Sequence, residues 1–166
     1  MSELPALTYN FLSYFESFDN KNKILVEIGS GESTIYWQNR FKTIYSYDND
    51  AEYLNIVNNK IDKTKTSLFL FDRNIFSNLD FRNHISVADY IIIDNNPNFI
   101  DRFYFCRFAR QFKKDDSVII LDNGESNRRA YEYLIRNFYC KDFPGKNKKE
   151  QITVTSVFGN LREQPL

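Results

Sequence analysis

Several residue types that would announce a special class of protein are scarce in this chain. It has two cysteines, Cys106 and Cys140, and no C-x-x-C pair, so a disulfide framework is excluded and a reduced, cytoplasmic setting is expected. The start lacks a basic segment followed by a long apolar run, and the longest apolar runs elsewhere are too short to span a bilayer. Because Lys+Arg and Asp+Glu number 22 each, the net charge is zero, which argues against non-specific attraction to nucleic acid.

What is present fits one domain with an ordinary core. A chain of 166 residues has the size of a single domain, and 42% hydrophobic residues are typical of a globular protein. Aromatic residues make up 17%, so the core is expected to contain many rings. We predict one domain over 1–166, with an N-terminal helix in 1–21, a core over 22–159 and a tail at 160–166.

Short β-branched runs, each followed by or ending beside an acidic residue, recur along the chain. The first is Lys23 to Ile28, and a continuous apolar run of this kind predicts a strand buried on both faces. Four more runs end at Asp48, Asp72, Asp94 and Asp122, and they cover 43–47, 67–71, 90–93 and 117–121. The sequence therefore predicts five strands with carboxylates at their ends.

Segments with helical spacing lie between these strands. Apolar residues three or four apart follow the second, fourth and fifth strands and also precede the first. Strands alternating with helices predict parallel pairing through right-handed crossovers. Two last strands, 138–143 and 152–158, have no helix between them. The predicted fold is α/β: a doubly wound, mostly parallel seven-stranded sheet with a C-terminal antiparallel hairpin and helices on both faces.

Two of the five glycines, Gly29 and Gly31, directly follow the first strand. A Gly-x-Gly turn there allows a ligand to approach the backbone closely, although it is also compatible with a plain tight turn. Asp48 lies near the offset of about 20 residues at which a carboxylate meets ribose hydroxyls. Asp48 could instead cap the following helix, a role open equally to Asp50. Together these features favour a nucleoside-containing cofactor.

The flanking residues bear on which nucleoside that is. A dinucleotide site would have a third glycine where this chain has Thr34, and a β-branched residue hinders the close packing that glycine allows. Glu27, at the end of the first strand, would repel a pyrophosphate but suits a cationic ligand such as a sulfonium. The alternative is that Glu27 pairs with a nearby lysine.

At this point the sequence resembles the class I S-adenosylmethionine (SAM)-dependent methyltransferases, in particular a subgroup of small bacterial and phage enzymes. The resemblance covers about residues 22–159 and rests on the Glu27–Thr34 loop, on Asp48, Asp72 and Asp94, and on Leu121–Asn123 and Asp142–Gly145. Ser33 replaces the usual third glycine of the loop. The resemblance implies SAM as cofactor, with contacts from Glu27, Gly29, Ser30, Gly31, Ser33, Thr34, Asp48, Asn49, Asp72, Arg73 and Asp94.

The resemblance also implies individual roles. Glu27, Gly29 and Gly31 would line the methionine end, and Asp48 would accept two hydrogen bonds from the ribose diol. Asp72, with Arg73, would lie near the adenine, or Asp72 could simply cap its loop. Asp94 would lie at the methyl-transfer edge, or Asp94 and Asn95 could cap a helix beginning near Phe99.

Asp94 is the best candidate for a base or an acceptor-orienting group. His84, the only histidine, is read as a surface residue at the opposite edge of the sheet. A magnesium set of Asp94, Asp122 and Asn123 is a weaker alternative, because the lysine that accompanies it in catechol O-methyltransferase-like enzymes has no match. Asn96–Phe99 also looks like a degraded Asn-Pro-Pro-Phe motif of amino-methylating enzymes. We predict no metal.

The acceptor is predicted to be a small molecule or a glycan, methylated on oxygen, because no inserted domain is visible. Nucleic acid and membrane partners are not expected, and a homo-oligomer is left open. The basic cluster Lys146–Lys149 is either a solvated loop or a site for a phosphate or sugar acid. Two other functions stay open: a non-catalytic SAM-binding or interaction module, and a small nicotinamide-dependent enzyme.

Overall fold

The computed structural model describes residues 4–160. The helices and strands follow one another as α1 (Tyr9–Phe15), β1 (Ile24–Ile28), α2 (Glu32–Trp37), β2 (Thr43–Asp48), α3 (Ala51–Asn58), β3 (Thr66–Leu70), a 3-10 turn (Ile75–Ser77), α4 (Leu79–Val87), β4 (Tyr90–Ile93), α5 (Arg102–Phe112), β5 (Val118–Asp122), α6 (Arg128–Ile135), β6 (Tyr139–Lys146) and β7 (Ile152–Gly159). None of the helices within residues 4–160 is long and apolar enough to cross a bilayer.

The seven strands form one sheet in the order β3-β2-β1-β4-β5-β7-β6. The first five pair in parallel, whereas β7 runs antiparallel to both β5 and β6. The predicted fold class is therefore confirmed, including the C-terminal hairpin. The order of the strands reverses between β1 and β4, so the carboxyl ends of these two strands flank the crevice where open α/β sheets bind ligands.

The sheet is buried on both faces by two apolar layers. Along β4, Ile91 and Ile93 point into one layer, and Tyr90 and Ile92 point into the other. The first layer includes buried residues of α4, α5 and α6, whereas the second includes those of α1 and α2. This double burial explains why the central strands are continuous apolar runs rather than alternating ones.

Helix α1 covers Tyr9–Phe15 of the predicted N-terminal helix of residues 1–21, of which residues 1–3 lie outside the described residues. The Thr8 hydroxyl accepts from the backbone N–H of Phe11 and so caps the start of the helix at Tyr9. The backbone N–H groups of Ser17 and Phe18 bond three residues back, to Tyr14 and Phe15, which tightens the chain and ends the helix. Of the predicted tail at 160–166, residues 161–166 lie outside the described residues.

Helix α4 follows the third strand, a place where the sequence analysis found no helical spacing. Only two of its side chains, Phe81 and Ile85, are buried, and they lie one turn apart. The segment is therefore mostly polar and has too few apolar residues for a helical period to be visible in the sequence. His84 lies on this helix and is half-buried rather than on the surface. Its Nδ1 atom hydrogen-bonds the Tyr47 hydroxyl at 2.6 Å, and its ring stacks on Tyr45 at a centroid distance of 3.7 Å.

The helix after β4 begins later than predicted. Asp101 caps it by accepting from the backbone N–H of Phe103 at 2.8 Å, so it begins at Arg102 instead of near Phe99. Asp94 and Asn95 are therefore not its caps, and their side chains make other contacts.

We predict that α1 is an integral part of the core. Phe11 is fully buried between Phe15 and Phe143, so Phe11→Ala should lower the free energy of unfolding by roughly 3–5 kcal/mol. Tyr9 lies on the same helix but is exposed, and Tyr9→Ala should cost less than about 1 kcal/mol. Urea denaturation of both variants measures this difference; equal stabilities would contradict the packing of α1.

Candidate functional site

The loop after β1 is pressed against the end of β4. Gly29 has a φ of +104°, and a Cβ atom there would lie 2.6 Å from the carbonyl oxygen of Asp94. Its N–H donates to the carbonyl of Tyr47 at 2.7 Å, which fixes the loop to β2 as well. Gly31 has extended backbone, and a Cβ there would meet only the Tyr53 side chain. Only Gly29 is therefore required by both conformation and space.

Glu27 lies beneath this loop and is completely buried. Its carboxyl oxygens accept hydrogen bonds from three hydroxyl groups, those of Ser33, Thr34 and Ser46. The Thr34 hydroxyl also accepts from the backbone N–H of Gly31 at 2.9 Å. Burial raises the pKa of Glu27 to about 7, against the effect of the three hydroxyl bonds. The carboxyl group therefore holds the start of α2 in place, and its described hydrogen-bond partners are hydroxyl groups rather than a lysine.

Asp48 ends β2 with its carboxylate beside the same loop. Its Oδ2 atom accepts from the backbone N–H of Ser30, and its Oδ1 atom accepts from that of Asp50, both at 2.9 Å. Asp50, not Asp48, caps α3 by accepting from the backbone N–H of Tyr53. Partial burial raises the pKa of Asp48, and its backbone hydrogen bonds oppose that shift.

Much of the predicted site borders one cavity of about 200 Å³, called here the loop cavity. From the predicted set it brings together Gly29, Ser30, Gly31, Ser33, Asp48 and Asp94. Glu27 and Thr34 are buried below it, and neither lines it. Residues that were not predicted as cofactor contacts also line it, among them Tyr53, Asn96, Lys148 and Lys149.

A second cavity, of about 670 Å³, lies on the β3 side and is called here the β3 cavity. It is lined by the predicted residues Asn49 and Asp72, together with Phe71 and Phe99. Asp72 also turns its own loop, since its Oδ1 atom accepts from the backbone N–H of Asn74 at 2.8 Å. Because Asp48 lines the loop cavity and Asn49 lines the β3 cavity, the two adjoin at the end of β2.

Arg73 does not line either cavity. Its guanidinium lies 5.0 Å from the centre of the Phe99 ring, in a cation–π contact. Through that ring it supports one wall of the β3 cavity, because Phe99 is part of the lining.

Arg102 is a site residue that the sequence reasoning missed. It is buried and donates to the carbonyl of Asn95, to the carbonyl of Asp122 and to the Asp94 carboxylate, at 2.9, 2.6 and 3.0 Å. It therefore joins the ends of β4 and β5. A signal was present, because Arg102 precedes Phe105, Cys106 and Ala109 at helical spacing and so shares their buried face.

The Asp94 carboxyl group lies close to the buried carboxyl group of Asp122, and each affects the ionisation of the other. The Asp122 carboxyl group accepts from the hydroxyl of Thr155 at 2.9 Å and from the amide of Asn123 at 2.7 Å. Burial, with the negative charge of Asp94, raises the pKa of Asp122 to about 8, and burial also raises the pKa of Asp94. The guanidinium of Arg102 opposes the shift at Asp94. Among residues 4–160, no group of three or more acidic, histidine or cysteine residues is placed to hold a metal ion.

The basic cluster between β6 and β7 folds against the loop cavity. Lys148 forms an ion pair with Glu32 at the start of α2, and Lys149 lines the cavity. Buried Asn147 shapes the turn, because its Oδ1 atom accepts from the backbone N–H groups of Lys149 and Gln151 at 2.9 and 3.2 Å. The cluster is therefore packed against the site and is not simply a solvated loop.

Solved structures resemble this chain in fold. A protein from Klebsiella pneumoniae that is described as an O-methyltransferase aligns with a TM-score of 0.72 and 16% identity, covering 91% of this chain and 79% of its own. Precorrin-6y C5,15-methyltransferase from Geobacter metallireducens aligns with a TM-score of 0.70 and 12% identity, covering 96% of this chain and 93% of its own. The O-methyltransferase TomG from Streptomyces achromogenes, in complex with SAM, aligns with a TM-score of 0.66 and 12% identity. The alignment covers 91% of this chain and 77% of TomG.

The chain therefore has the fold of class I methyltransferases. No protein-family model and no curated protein sequence matches it. The tRNA m1G37 methyltransferase from M. jannaschii shares the fold too, with a TM-score of 0.60 and 16% identity, and the match spans about half of that longer protein. The fold therefore does not separate nucleic-acid acceptors from small ones, and the sequence argument against nucleic acid is not supported by it.

We predict that Gly29 is essential to the fold of the loop and Gly31 is not. Gly29→Ala combines an unfavourable φ with a backbone clash, so it should lower the free energy of unfolding by about 3 kcal/mol or more. Gly31→Ala keeps an extended backbone and displaces only a flexible side chain, so its cost should be smaller. Chemical denaturation followed by circular dichroism ranks the two; equal costs would contradict the described loop.

We predict that Glu27 makes stability depend on pH. Between its ordinary pKa of 4.5 and its folded value of about 7, the folded protein binds more protons than the unfolded chain, so the free energy of unfolding falls as pH rises. Glu27→Gln removes this dependence. The stability of Glu27→Gln relative to wild type should therefore rise by up to about 3 kcal/mol from pH 4.5 to above pH 7.

Urea midpoints of both proteins measured across this pH range test the role of Glu27. A parallel pair of stability curves would show that Glu27 keeps an ordinary pKa. The pH dependence of stability should persist in Ser33→Ala and Ser46→Ala, because each variant loses one hydroxyl donor to Glu27 but keeps the carboxyl group.

Proposed function

We propose that this protein is a SAM-dependent methyltransferase. The observation that carries the proposal is the placement of a strained Gly29 loop and the Asp48 carboxylate on one cavity, at the switch point of a class I methyltransferase fold. The cavity is open to the carboxyl ends of β1 and β4, where the fold class places its ligands. The solved structure of TomG with SAM supports the choice of cofactor within this fold.

The residues present fit SAM by their chemistry. A carboxylate has about four acceptor sites, and the backbone N–H groups of Ser30 and Asp50 take one on each oxygen of Asp48, which leaves about one site per oxygen for a ribose diol. Asn49 and Asp72 border the β3 cavity next to Phe71 and Phe99, which combines polar acceptors with apolar faces, as an adenine requires. The glycine loop would hold the methionine part, with Glu27 fixing the loop from below.

SAM, when bound, supplies a methyl group on a positively charged sulfur. The protein then has to align the acceptor and exclude water from the line of attack. Asp94 borders the loop cavity, and Arg102 holds its Oδ1 atom at 3.0 Å. We propose that Asp94 orients the acceptor and receives its proton where one is lost. Arg102 acts as a positioning residue for that carboxylate.

For the acceptor we propose an oxygen of a small molecule or a glycan. The net charge of zero and the absence of an inserted domain in residues 4–160 favour a compact substrate over a long polyanion. Proteins of the same fold act on precorrin and on tRNA, so a turnover assay should include all three acceptor classes. Binding of SAM without turnover on any of them would favour the non-catalytic module.

Isothermal titration calorimetry with SAM and S-adenosylhomocysteine tests the proposal. We predict binding of both ligands to the wild type and an approximately tenfold loss for Asp48→Asn, since an amide can accept only part of the diol's hydrogen bonds. Asp50→Asn is the matched control, because Asp50 lies two residues away, caps α3 and does not line the loop cavity.

Two outcomes would contradict the proposal. The cofactor assignment fails if neither ligand binds the wild type at millimolar concentration. If the ligands bind but Asp48→Asn and Asp50→Asn behave alike, the role assigned to Asp48 fails while the cofactor assignment stands. Binding of a nicotinamide dinucleotide instead would favour a small nicotinamide-dependent enzyme.

A further inference from the structure

We infer that Lys149 binds the carboxylate of the amino-acid part of the cofactor, so that the β6–β7 loop belongs to the cofactor site. This inference rests on the proposed function and names a contact that the glycine loop and Asp48 do not supply. The sequence placed Lys149 in a basic cluster whose ligand, if any, was an acidic acceptor. The structure favours the cofactor as the source of the anion.

The first reason is location. Lys149 lines the loop cavity, the same cavity that Gly29, Ser30 and Gly31 line from the opposite loop. Its volume of about 200 Å³ is below the roughly 300 Å³ at which pockets for drug-sized ligands begin. The space therefore suits an amino-acid moiety rather than the whole of an additional substrate.

The second reason is the balance of charge around the cavity. Glu32 is paired with Lys148, and Asp94 is paired with Arg102. The ammonium group of Lys149 makes no ion pair within 4 Å in the described part of the chain. An anion at this position would find a cation whose charge is not already matched at contact distance. The methionine part of SAM carries one carboxylate, which is its only negative group.

The third reason is that the loop is held in this position. Asn147 is almost fully buried and accepts from the backbone N–H of Lys149, while the neighbouring Lys148 is tied to α2 through Glu32. The backbone that carries Lys149 is thereby ordered next to the cavity. Only the side chain of Lys149 then has to be ordered on binding, which costs less conformational entropy than ordering a loose loop as well.

The test compares two ligands that differ in the group Lys149 would hold. S-adenosylhomocysteine retains the amino-acid part, whereas 5′-methylthioadenosine has the nucleoside and the sulfur but no carboxylate. We predict that Lys149→Gln weakens the first by about tenfold and leaves the second unchanged, because only the first offers a charged hydrogen-bond acceptor. Calorimetry measures both affinities.

Lys146→Gln is the matched control. Lys146 lies on the same hairpin and carries the same charge, but it pairs with Glu150 at 2.8 Å and does not line the loop cavity. This substitution should leave both affinities unchanged. Circular dichroism of both variants checks that the hairpin is intact.

Each other outcome is decisive. If Lys149→Gln changes neither affinity, the cofactor is not the source of the anion, and the assignment is overturned in favour of an acidic acceptor. If both ligands weaken equally, Lys149 acts on the structure of the site and the assignment is also overturned. If the wild type binds neither ligand, the proposed function itself fails, which distinguishes that failure from the other two.

Discussion

The buried carboxyl group of Glu27 is the point to which the rest of the site is tied. Its hydrogen bond from Ser46 joins β1 to β2, and those from Ser33 and Thr34 join both strands to the start of α2. The Ser46 hydroxyl lies 2.7 Å from that of Ser30, whose backbone N–H in turn holds Asp48. A single buried acid therefore positions the loop and the carboxylate that faces the cavity. A buried polar network of this kind is effective only when every member is satisfied.

A second network holds the other wall of the crevice. The guanidinium of Arg102 bridges two backbone carbonyls and one carboxylate across β4 and β5, so a charged group reinforces the pairing of these strands at their ends. Buried ion pairs contribute little net stability, because desolvation offsets their attraction, but they specify geometry. Here the geometry specified is that of Asp94 at the edge of the loop cavity.

The sequence was informative wherever a pattern has a local cause. The apolar runs predicted the central strands β1, β4 and β5 because both faces of these strands are buried, and their composition is therefore mainly apolar. It was less informative where a side chain's role depends on its neighbours in space. Four acids at strand ends look alike in the sequence, yet their surroundings differ. Asp48 and Asp94 border the loop cavity, whereas Asp72 turns a loop beside the β3 cavity. Asp122 is buried. Helix α4 was missed for a related reason: two core residues make too weak a periodicity.

The part of the site that would meet an acceptor is built from short segments. Between β4 and α5, between β5 and α6, and between β6 and β7, the connecting segments have only five to eight residues. Within residues 4–160 none of these segments is long enough to form a cap of its own, so an acceptor would meet an edge that the described residues leave largely open. Specificity would then depend on a few groups at that edge, foremost Asp94 and Asn96. The loop between β6 and β7 packs against α2 through Lys148, and it would cover part of the site in place of a separate cap.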